Sequence, residues 1–122
     1  MSLPSRILIL EDEPLIAMLL RDWMGDLGCE AVGPAHDVTD ALKLIERDTP
    51  DAAILDISLA AENCYPVADV LRARRVPFAF ATGRAGSEIP SKHAGAPLIL
   101  KPFVFKRVSE VITKILNARN DG

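Results

Sequence analysis

The stretch Asp51-Ala52-Ala53-Ile54-Leu55-Asp56-Ile57-Ser58-Leu59 is a short apolar run that leads to a carboxylate. Pro50 precedes it and polar residues follow it, which is typical of a strand buried on both faces. Open α/β sheets place their functional sites beyond the carboxyl ends of such strands. Asp56 is therefore the first candidate for a functional residue.

Three further apolar runs end in polar residues in the same way. The runs are Ile7–Leu10, Phe78–Ala81 and Leu98–Leu100, and the polar residues after them are Glu11 with Asp12, Thr82, and Lys101. In an open parallel sheet the four run ends lie along one edge. We therefore expect three acids, one hydroxyl and one ammonium group to converge there.

The composition is that of one folded domain. The chain has 122 residues, 49% of them hydrophobic, and a formal net charge of −3. This length suits a single domain with its own core, and the small net charge argues against electrostatic binding of nucleic acid. Cys29 and Cys64 have no disulfide or zinc spacing, so we expect both to be buried apolar residues.

The first six residues lead directly into a predicted strand, without the apolar segment of a signal peptide. The sequence contains no apolar run of about 18 residues that could span a membrane. The cytoplasm is therefore the expected location.

Apolar periodicity predicts the order β-α-β-α-β-α-β-(weak α)-β-α. Pro14 and Pro66 can open helices, Gly28 can end the first helix, and Asp37 is a candidate N-cap of the second. The alternation predicts an α/β fold, a doubly wound five-stranded parallel sheet with helices on both faces.

Residues 83–96 are unlike the other inter-strand segments because they contain three glycines and one proline. Any fourth helix there should be short and weakly anchored. Glu30–Val32 is predicted as a short second strand, with Gly33-Pro34 turning the chain after it. His36 and His93 are expected on the surface.

Three arginines lie near the predicted carboxyl end of the third helix, namely Arg72, Arg74 and Arg75. Solvated cations that the helix terminus favours are a better interpretation of them than a binding patch.

The last helix is predicted to be amphipathic from a stripe of apolar residues. The stripe consists of Val104, Val108, Val111, Ile112, Ile115 and Leu116.

The predicted convergence has a definite chemistry. Three carboxylates, those of Glu11, Asp12 and Asp56, repel one another unless a cation intervenes, and an all-oxygen cluster suits Mg²⁺. Lys101 could neutralise a phosphoryl group and Thr82 could donate to one of its oxygens. Asp56 is then a plausible nucleophile, since carboxylates form aspartyl phosphates. The alternative is four unrelated polar residues at strand ends.

The sequence resembles the receiver domains of two-component response regulators, from Arg6 to about Leu116. The resemblance is carried by Leu10-Glu11-Asp12-Glu13-Pro14, Ile54-Leu55-Asp56, Ala81-Thr82 and Lys101-Pro102-Phe103. It implies a flavodoxin-like (βα)5 fold, and it implies that residues 1–122 form a single receiver domain, with a core of about 5–117 and no effector domain.

The resemblance also implies roles for individual residues. Asp56 would accept a phosphoryl group from a histidine kinase, and Mg²⁺ would be bound by Asp12, Asp56 and the backbone carbonyl of Ser58, with Glu11 acting through water. Thr82 would be the switch hydroxyl and Lys101 would pair with the phosphoryl group. The peptide bond between Lys101 and Pro102 is expected to be cis, because proline lowers the free-energy cost of the cis form.

A narrower resemblance is carried by Pro77-Phe78-Ala79-Phe80-Ala81-Thr82-Gly83. The segment looks like the single-domain receivers of the FAT GUY subfamily of alphaproteobacteria, which implies an HWE-type histidine kinase as partner and a poorly formed fourth helix. Arg84 and Ala85 depart from the subfamily motif. Leu98 stands where many receivers carry an aromatic residue, so we expect signalling through ordering of residues 83–96 instead of an aromatic rotamer switch.

These observations favour a stand-alone phosphoacceptor, which is not an enzyme acting on a separate substrate although it can assist its own phosphotransfer. It would signal through a partner protein or serve as a phosphate sink. A phosphorylation-independent interaction module on the same fold is the alternative. An aspartate phosphatase would require an acid where Ser58 stands, and a nucleotide binder would require a glycine-rich loop where Glu11-Asp12-Glu13-Pro14 stands.

Overall fold

The computed structural model describes residues 3–60, 62–83 and 89–121, and for residues 119–121 it describes the backbone alone. Five strands are formed by β1 (Arg6–Leu10), β2 (Glu30–Ala35), β3 (Ala52–Asp56), β4 (Phe78–Thr82) and β5 (Leu98–Leu100). Four α-helices are described, namely α1 (Pro14–Asp26), α2 (Val38–Arg47), α3 (Tyr65–Ala73) and α4 (Phe105–Asp121). No helix in these described ranges is both long enough and apolar enough to cross a bilayer.

All strands are parallel and lie in the order β2-β1-β3-β4-β5. The chain moves outward from β1 to β2 on one side, then returns and moves outward from β3 to β5 on the other. The predicted doubly wound parallel sheet is therefore confirmed. The reversal of winding between β1 and β3 creates the crevice in which open α/β sheets bind their ligands.

Two apolar layers cover the sheet, one on each face. Ile7 and Ile9 of β1 face the layer that contains α1 and α4, whereas Leu8 and Leu10 face the layer of α2 and α3. The central strand β3 is buried at every position, which agrees with its nearly continuous apolar sequence.

Local signals account for where the helices begin and end. Pro14 occupies the first turn of α1, and Gly28, with φ of 76°, closes its carboxyl end. Asp37 caps α2 because its side chain accepts a hydrogen bond from the N–H of Asp40 at 2.8 Å. The third helix begins at Tyr65, one residue before Pro66.

The prediction that Gly33-Pro34 turns the chain after a short strand was wrong. The strand β2 continues through both residues to Ala35, and the peptide between them is cis. Its pairing with β1 shifts there, since Leu8 faces Val32 whereas Leu10 faces Ala35. This extra residue in β2 is a β-bulge, which single-sequence turn signals do not distinguish from a turn.

The prediction that His93 lies on the surface was also wrong, whereas His36 is exposed. His93 is fully buried in a short 3-10 turn, Ser91–His93. Its Nε2 lies 2.8 Å from Asp69 Oδ1, and its Nδ1 accepts a hydrogen bond from Arg72 Nε at 3.0 Å. Two partners on α3 therefore offset the cost of burying a polar ring.

The segment between β4 and β5 forms no α-helix within its described residues, 83 and 89–97. It contains only the 3-10 turn that carries His93. The weak fourth helix is thus seen as this short turn, and the part of the prediction that concerns residues 84–88 lies outside the described residues.

The last helix differs from the prediction at both ends. Val104 precedes α4 and is 60% exposed, so it does not belong to the apolar stripe. The stripe instead begins at Val108, which is fully buried. The helix continues to Asp121, five residues beyond Leu116, the last residue of the predicted stripe.

A substitution at Gly33 tests how much the bulge matters for the stability of the fold. Its φ is 91°, and a Cβ added there would lie 2.5 Å from the backbone nitrogen of Ala35. We expect Gly33→Ala to lower the free energy of unfolding by about 2 kcal/mol or more, measured by urea denaturation.

Gly25→Ala in α1 is the matched control, because a Cβ there meets nothing within 4 Å. It should raise the free energy of unfolding by about 0.5–1 kcal/mol. Equal effects of the two substitutions would contradict the account of the bulge.

Candidate functional site

The site lies at the crevice between the carboxyl ends of β1 and β3. These strands are neighbours, with Leu10 paired to Leu55, so the residues that follow β1 meet the last residue of β3. Glu11 and Asp12 come directly after β1, and Asp56 ends β3. The predicted convergence of the three acids is therefore present.

The three acids form one cluster. Each of Glu11, Asp12 and Asp56 offers a carboxylate oxygen, and these three oxygens lie within 4.8 Å of one another. Glu11 and Asp56 are 1% and 3% exposed, whereas Asp12 is half-buried at the rim. Burial of like charges at this range is costly unless cations or hydrogen-bond donors compensate for it.

Backbone N–H groups orient each carboxylate. Glu11 Oε2 accepts from the N–H of Glu13 at 3.2 Å, and Asp56 Oδ1 accepts from the N–H of Ser58 at 3.2 Å. Asp12 Oδ2 accepts from the N–H of Ala60 at 2.6 Å. The loop after β3 therefore holds both aspartates in position.

The ammonium group of Lys101 is the cation that reaches the buried pair. Its Nζ lies 2.8 Å from Glu11 Oε1 and 3.2 Å from Asp56 Oδ2. The backbone directs it there, because the N–H of Lys101 donates to the carbonyl of Thr82 at 2.8 Å. The peptide between Lys101 and Pro102 is cis, in agreement with the prediction.

The ionisation of the site reflects this arrangement. Burial raises the pKa of the Glu11 carboxyl, the ammonium of Lys101 opposes the rise, and the charge of Asp56 adds to it. Burial disfavours the ammonium of Lys101, but the two carboxylates outweigh it and raise the pKa of that group. The site therefore holds one firmly protonated cation among three acids.

The donor set fits a magnesium ion. Three clustered carboxylates supply only oxygen ligands, and the half-buried position of Asp12 leaves one side open to water, as Mg²⁺ usually requires. Lys101 contacts two of the acids but leaves the cluster with an excess of negative charge. A divalent cation beside Asp12 would offset that excess.

Thr82 ends the neighbouring strand and lies at the same edge. It is 2% exposed and pairs with Leu100 of β5, while Asp56 pairs with Ala81 of β4. Leu98 is half-buried against the apolar layer that contains Phe80. The acids, the threonine and the lysine are thus brought together as the sequence predicts.

Sequence reasoning missed the contact between the N–H of Ala60 and Asp12, which joins positions 48 residues apart. No local pattern signals such a contact. Cys64 occupies the N-cap position of α3, and its side chain forms no capping hydrogen bond. Burial, and to a smaller extent the charge of Asp56, raise the pKa of its thiol to about 12, so Cys64 is a packing residue, as expected.

The family model of the response regulator receiver domain matches residues 7–115. The chain belongs to this family. Receiver domains are signalling modules of two-component systems, and the match includes the three acids, Thr82 and Lys101.

Two named proteins illustrate the relationship. The chain is 37% identical over 116 residues to the phyllosphere-induced regulator PhyR of Methylorubrum extorquens, covering 92% of this chain and 43% of that protein. It is 31% identical over 118 residues to the transcriptional regulatory protein PdtaR of Mycobacterium tuberculosis, covering 93% of this chain and 56% of that protein. The chain thus spans about half the length of these relatives.

Among solved structures, SdrG of Sphingomonas melonis is 42% identical with a TM-score of 0.78, and the match covers 98% of both chains. A mutant of PhyR from Bartonella quintana, described as an anti-anti-sigma factor, is 29% identical with a TM-score of 0.82, covering 98% of this chain and 51% of that one. Both matches support the receiver fold, and the SdrG match, which covers nearly all of both chains, supports the single-domain resemblance.

Removing the charge of Asp56 tests the electrostatics of the cluster. In metal-free buffer, Asp56→Asn should lower the pKa of Glu11, because Asp56 is one of the groups that raise it above 4.5. A raised pKa means that the folded protein retains a proton which the unfolded chain releases, so stability falls as pH rises above 4.5 through the folded pKa. The loss of folding stability over this pH range should be smaller in Asp56→Asn than in the wild type.

The measurement is an NMR titration of the Glu11 side-chain carboxyl carbon. Asp48→Asn is the control, because the Asp48 carboxylate is 70% exposed and pairs with Arg6 instead of the cluster. An unchanged or higher Glu11 pKa in Asp56→Asn would refute the description of the site.

Proposed function

We propose that this chain is a stand-alone receiver, formed by residues 1–122 as one domain, that accepts a phosphoryl group on Asp56 from a histidine kinase in a Mg²⁺-dependent reaction. The observation that carries the proposal is the buried Asp56 carboxylate, which contacts the ammonium of Lys101 and clusters with the two acids that follow β1. A carboxylate in this position can act as a nucleophile, and the groups around it can compensate for the negative charge of the aspartyl phosphate that it forms.

The transfer itself is a simple displacement. A carboxylate oxygen of Asp56 forms a bond to phosphorus while the bond from phosphorus to the imidazole nitrogen of the kinase breaks, and the electron pair leaves with that nitrogen. Lys101 Nζ, 3.2 Å from Asp56 Oδ2, is placed to pair with the transferred group. The N–H of Ser58 orients the other oxygen of Asp56.

Mg²⁺ would neutralise the charge that develops on the phosphoryl oxygens. Asp12, Asp56 and the backbone carbonyl of Ser58 are proposed as its direct ligands, and Glu11 as a contact through water. The more exposed position of Asp12 supports a direct role. The contact between Glu11 Oε1 and Lys101 supports an indirect role for Glu11.

The response to phosphorylation is proposed to begin at Thr82, whose hydroxyl would bind a phosphoryl oxygen. Leu98 provides no aromatic side chain for a coupled rotamer switch. We therefore infer that the signal passes to residues 83–96, and an increase in their hydrogen-exchange protection with a phosphoryl mimic would be the expected sign. Their only regular element among the described residues is the short turn that ends at His93.

The proposed partners are a histidine kinase, of the HWE type by the narrower resemblance, and a downstream protein or a competing receiver in a phosphate-sink role. Similarity to PhyR, described in one relative as an anti-anti-sigma factor, supports an output through protein contacts. We do not propose an enzyme with a separate substrate, because the exposed Ser58 stands where a phosphatase would carry its second acid.

A phosphorylation-independent interaction module is the second candidate. The leucine at position 98, half-buried against Phe80, favours it because a common element of phosphoryl-dependent switching is absent there. The complete set of acids, threonine and lysine favours the first candidate.

Intact mass after incubation with acetyl phosphate and Mg²⁺ tests the phosphoacceptor. The wild type should gain one phosphoryl group and Asp56→Asn none, since an amide is a poor nucleophile. Asp48→Asn, a change at an exposed carboxylate, should behave as the wild type. Labelling of Asp56→Asn at the wild-type rate would contradict the assignment of Asp56 as the phosphoacceptor.

Lys101→Ala separates metal binding from switching. Mg²⁺ should bind at least as tightly as in the wild type, because a competing positive charge is removed. The change in the Thr82 amide resonance on addition of beryllium fluoride should become smaller. The exposed Lys106→Ala serves as control, and an undiminished Thr82 response in Lys101→Ala would contradict the role of Lys101.

A further inference from the structure

A basic groove lies at the edge of the sheet opposite to Asp56. It has a volume of about 880 Å³ and is bounded by the end of α3, the amino ends of β4 and β5, and the last turns of α4. Five cationic side chains line it, those of Arg72, Arg74, Arg75, Lys92 and Lys114. No carboxylate among the described residues lines this groove, although the whole chain has a net charge of −3.

The floor of the groove is apolar. Its accessible apolar surface comes from Pro77, Pro97 and Ala118, whereas Phe78 and Ile115 also line the groove but are only 5% and 4% exposed. The guanidinium of Arg72 lies 5.3 Å from the centre of the Phe78 ring. The groove therefore presents a hydrophobic strip with positive charge on several sides.

Only part of this charge is neutralised within the chain. Arg74 pairs with Glu46 at 2.6 Å and Lys92 pairs with Asp69 at 2.9 Å. Arg72 donates to a histidine nitrogen, not to a carboxylate. Arg75 and Lys114 form no ion pair and no side-chain hydrogen bond within the described part of the chain.

The backbone of Arg75 is a second, independent observation. It has φ of 60° and occupies the position after the end of α3 where the chain adopts a left-handed conformation. The Schellman hydrogen bonds are present, from the N–H of Val76 to the carbonyl of Leu71 and from the N–H of Arg75 to that of Arg72, at 2.9 and 3.0 Å. The same motif closes α1, where glycine occupies the left-handed position.

An arginine at this position is unfavourable, since the left-handed conformation suits glycine and costs other residues stability. Residues held in such conformations are frequent at binding sites. The conformation places at the groove a cation that has no ion-pair or side-chain hydrogen-bond partner among the described residues, and this is what a site for an acidic ligand requires.

We propose that the groove is a docking site for an acidic segment of a partner protein, with carboxylates that meet Arg75 and Lys114 and an apolar side chain that packs on Pro77 and Pro97. A bare inorganic anion would leave this apolar surface uncovered, and the cations come from three separate elements, namely the end of α3, the Ser91–His93 turn and α4. The occupant must therefore combine negative charge with hydrophobic surface, as an acidic amphipathic peptide does.

This site is separate from phosphotransfer. The strand β4 runs from Phe78 at the groove to Thr82 at the phosphoryl edge, a distance of about 13 Å at the rise of a strand. Docking would therefore leave Asp56 accessible to a kinase, and the groove and the proposed phosphoacceptor can be tested independently.

The test uses the full chain and a short fluorescent peptide in which glutamates flank two leucines. Binding is measured by anisotropy and located by amide shifts in ¹⁵N NMR spectra. The peptide should bind, with shifts centred on Arg75, Phe78 and Ile115, and its affinity should fall as ionic strength rises. The same peptide with glutamine in place of glutamate should bind much more weakly.

Variants identify the charges that matter. Arg75→Gly with Lys114→Gln should weaken peptide binding by about tenfold, while Arg75→Gly alone should raise the midpoint of thermal unfolding because glycine suits the left-handed position. The control is Lys43→Gln with Lys106→Gln, two exposed cations that do not line the groove. All variants should retain wild-type phosphoryl uptake.

Four outcomes would overturn the proposal. Three of them are absence of peptide binding, amide shifts located away from the groove, and equal weakening by the control pair. Equal binding of inorganic phosphate or ATP at the same residues would replace the peptide site with a small-anion site and would also overturn it.

Discussion

The buried contact of the Lys101 ammonium with Glu11 and Asp56 is the interaction on which the site depends. Its distances are 2.8 Å and 3.2 Å to the two carboxylates, which are almost completely buried. Two buried carboxylates without a cation would repel each other and favour protonation. One lysine compensates for them only in part. Under the proposed function, this incomplete compensation would allow the site to bind a metal ion, which would in turn support a phosphoryl group.

The sheet explains why these groups meet. Because β1 lies beside β3, and β3 beside β4, the ends of strands that are far apart in sequence form one crevice. The same parallel arrangement places the amino ends of β4 and β5 at the opposite edge, beside the end of α3. One edge of the domain is thus acidic and the other basic, so two ligands of opposite charge can be bound without competing for the same residues.

Local patterns predicted the parts that depend on local chemistry. The strand that delivers Asp56, the N-cap at Asp37 and the end of α1 at Gly28 are each recognisable from neighbouring residues. The bulge at Gly33 and the burial of His93 were mispredicted because they depend on pairing with β1 and packing against α3, which are remote in sequence. The convergence of the acids, Thr82 and Lys101 was predictable because strand ends in such sheets share one edge.

The most direct test of the central claim is a crystal structure of the chain with Mg²⁺ and beryllium fluoride, a phosphoryl analogue. The account predicts the fluoride complex on a carboxylate oxygen of Asp56, with the metal bound by Asp12, Asp56 and the carbonyl of Ser58, and with Lys101 and Thr82 in contact with the fluorines. A metal or fluoride complex bound away from Asp56 would contradict it.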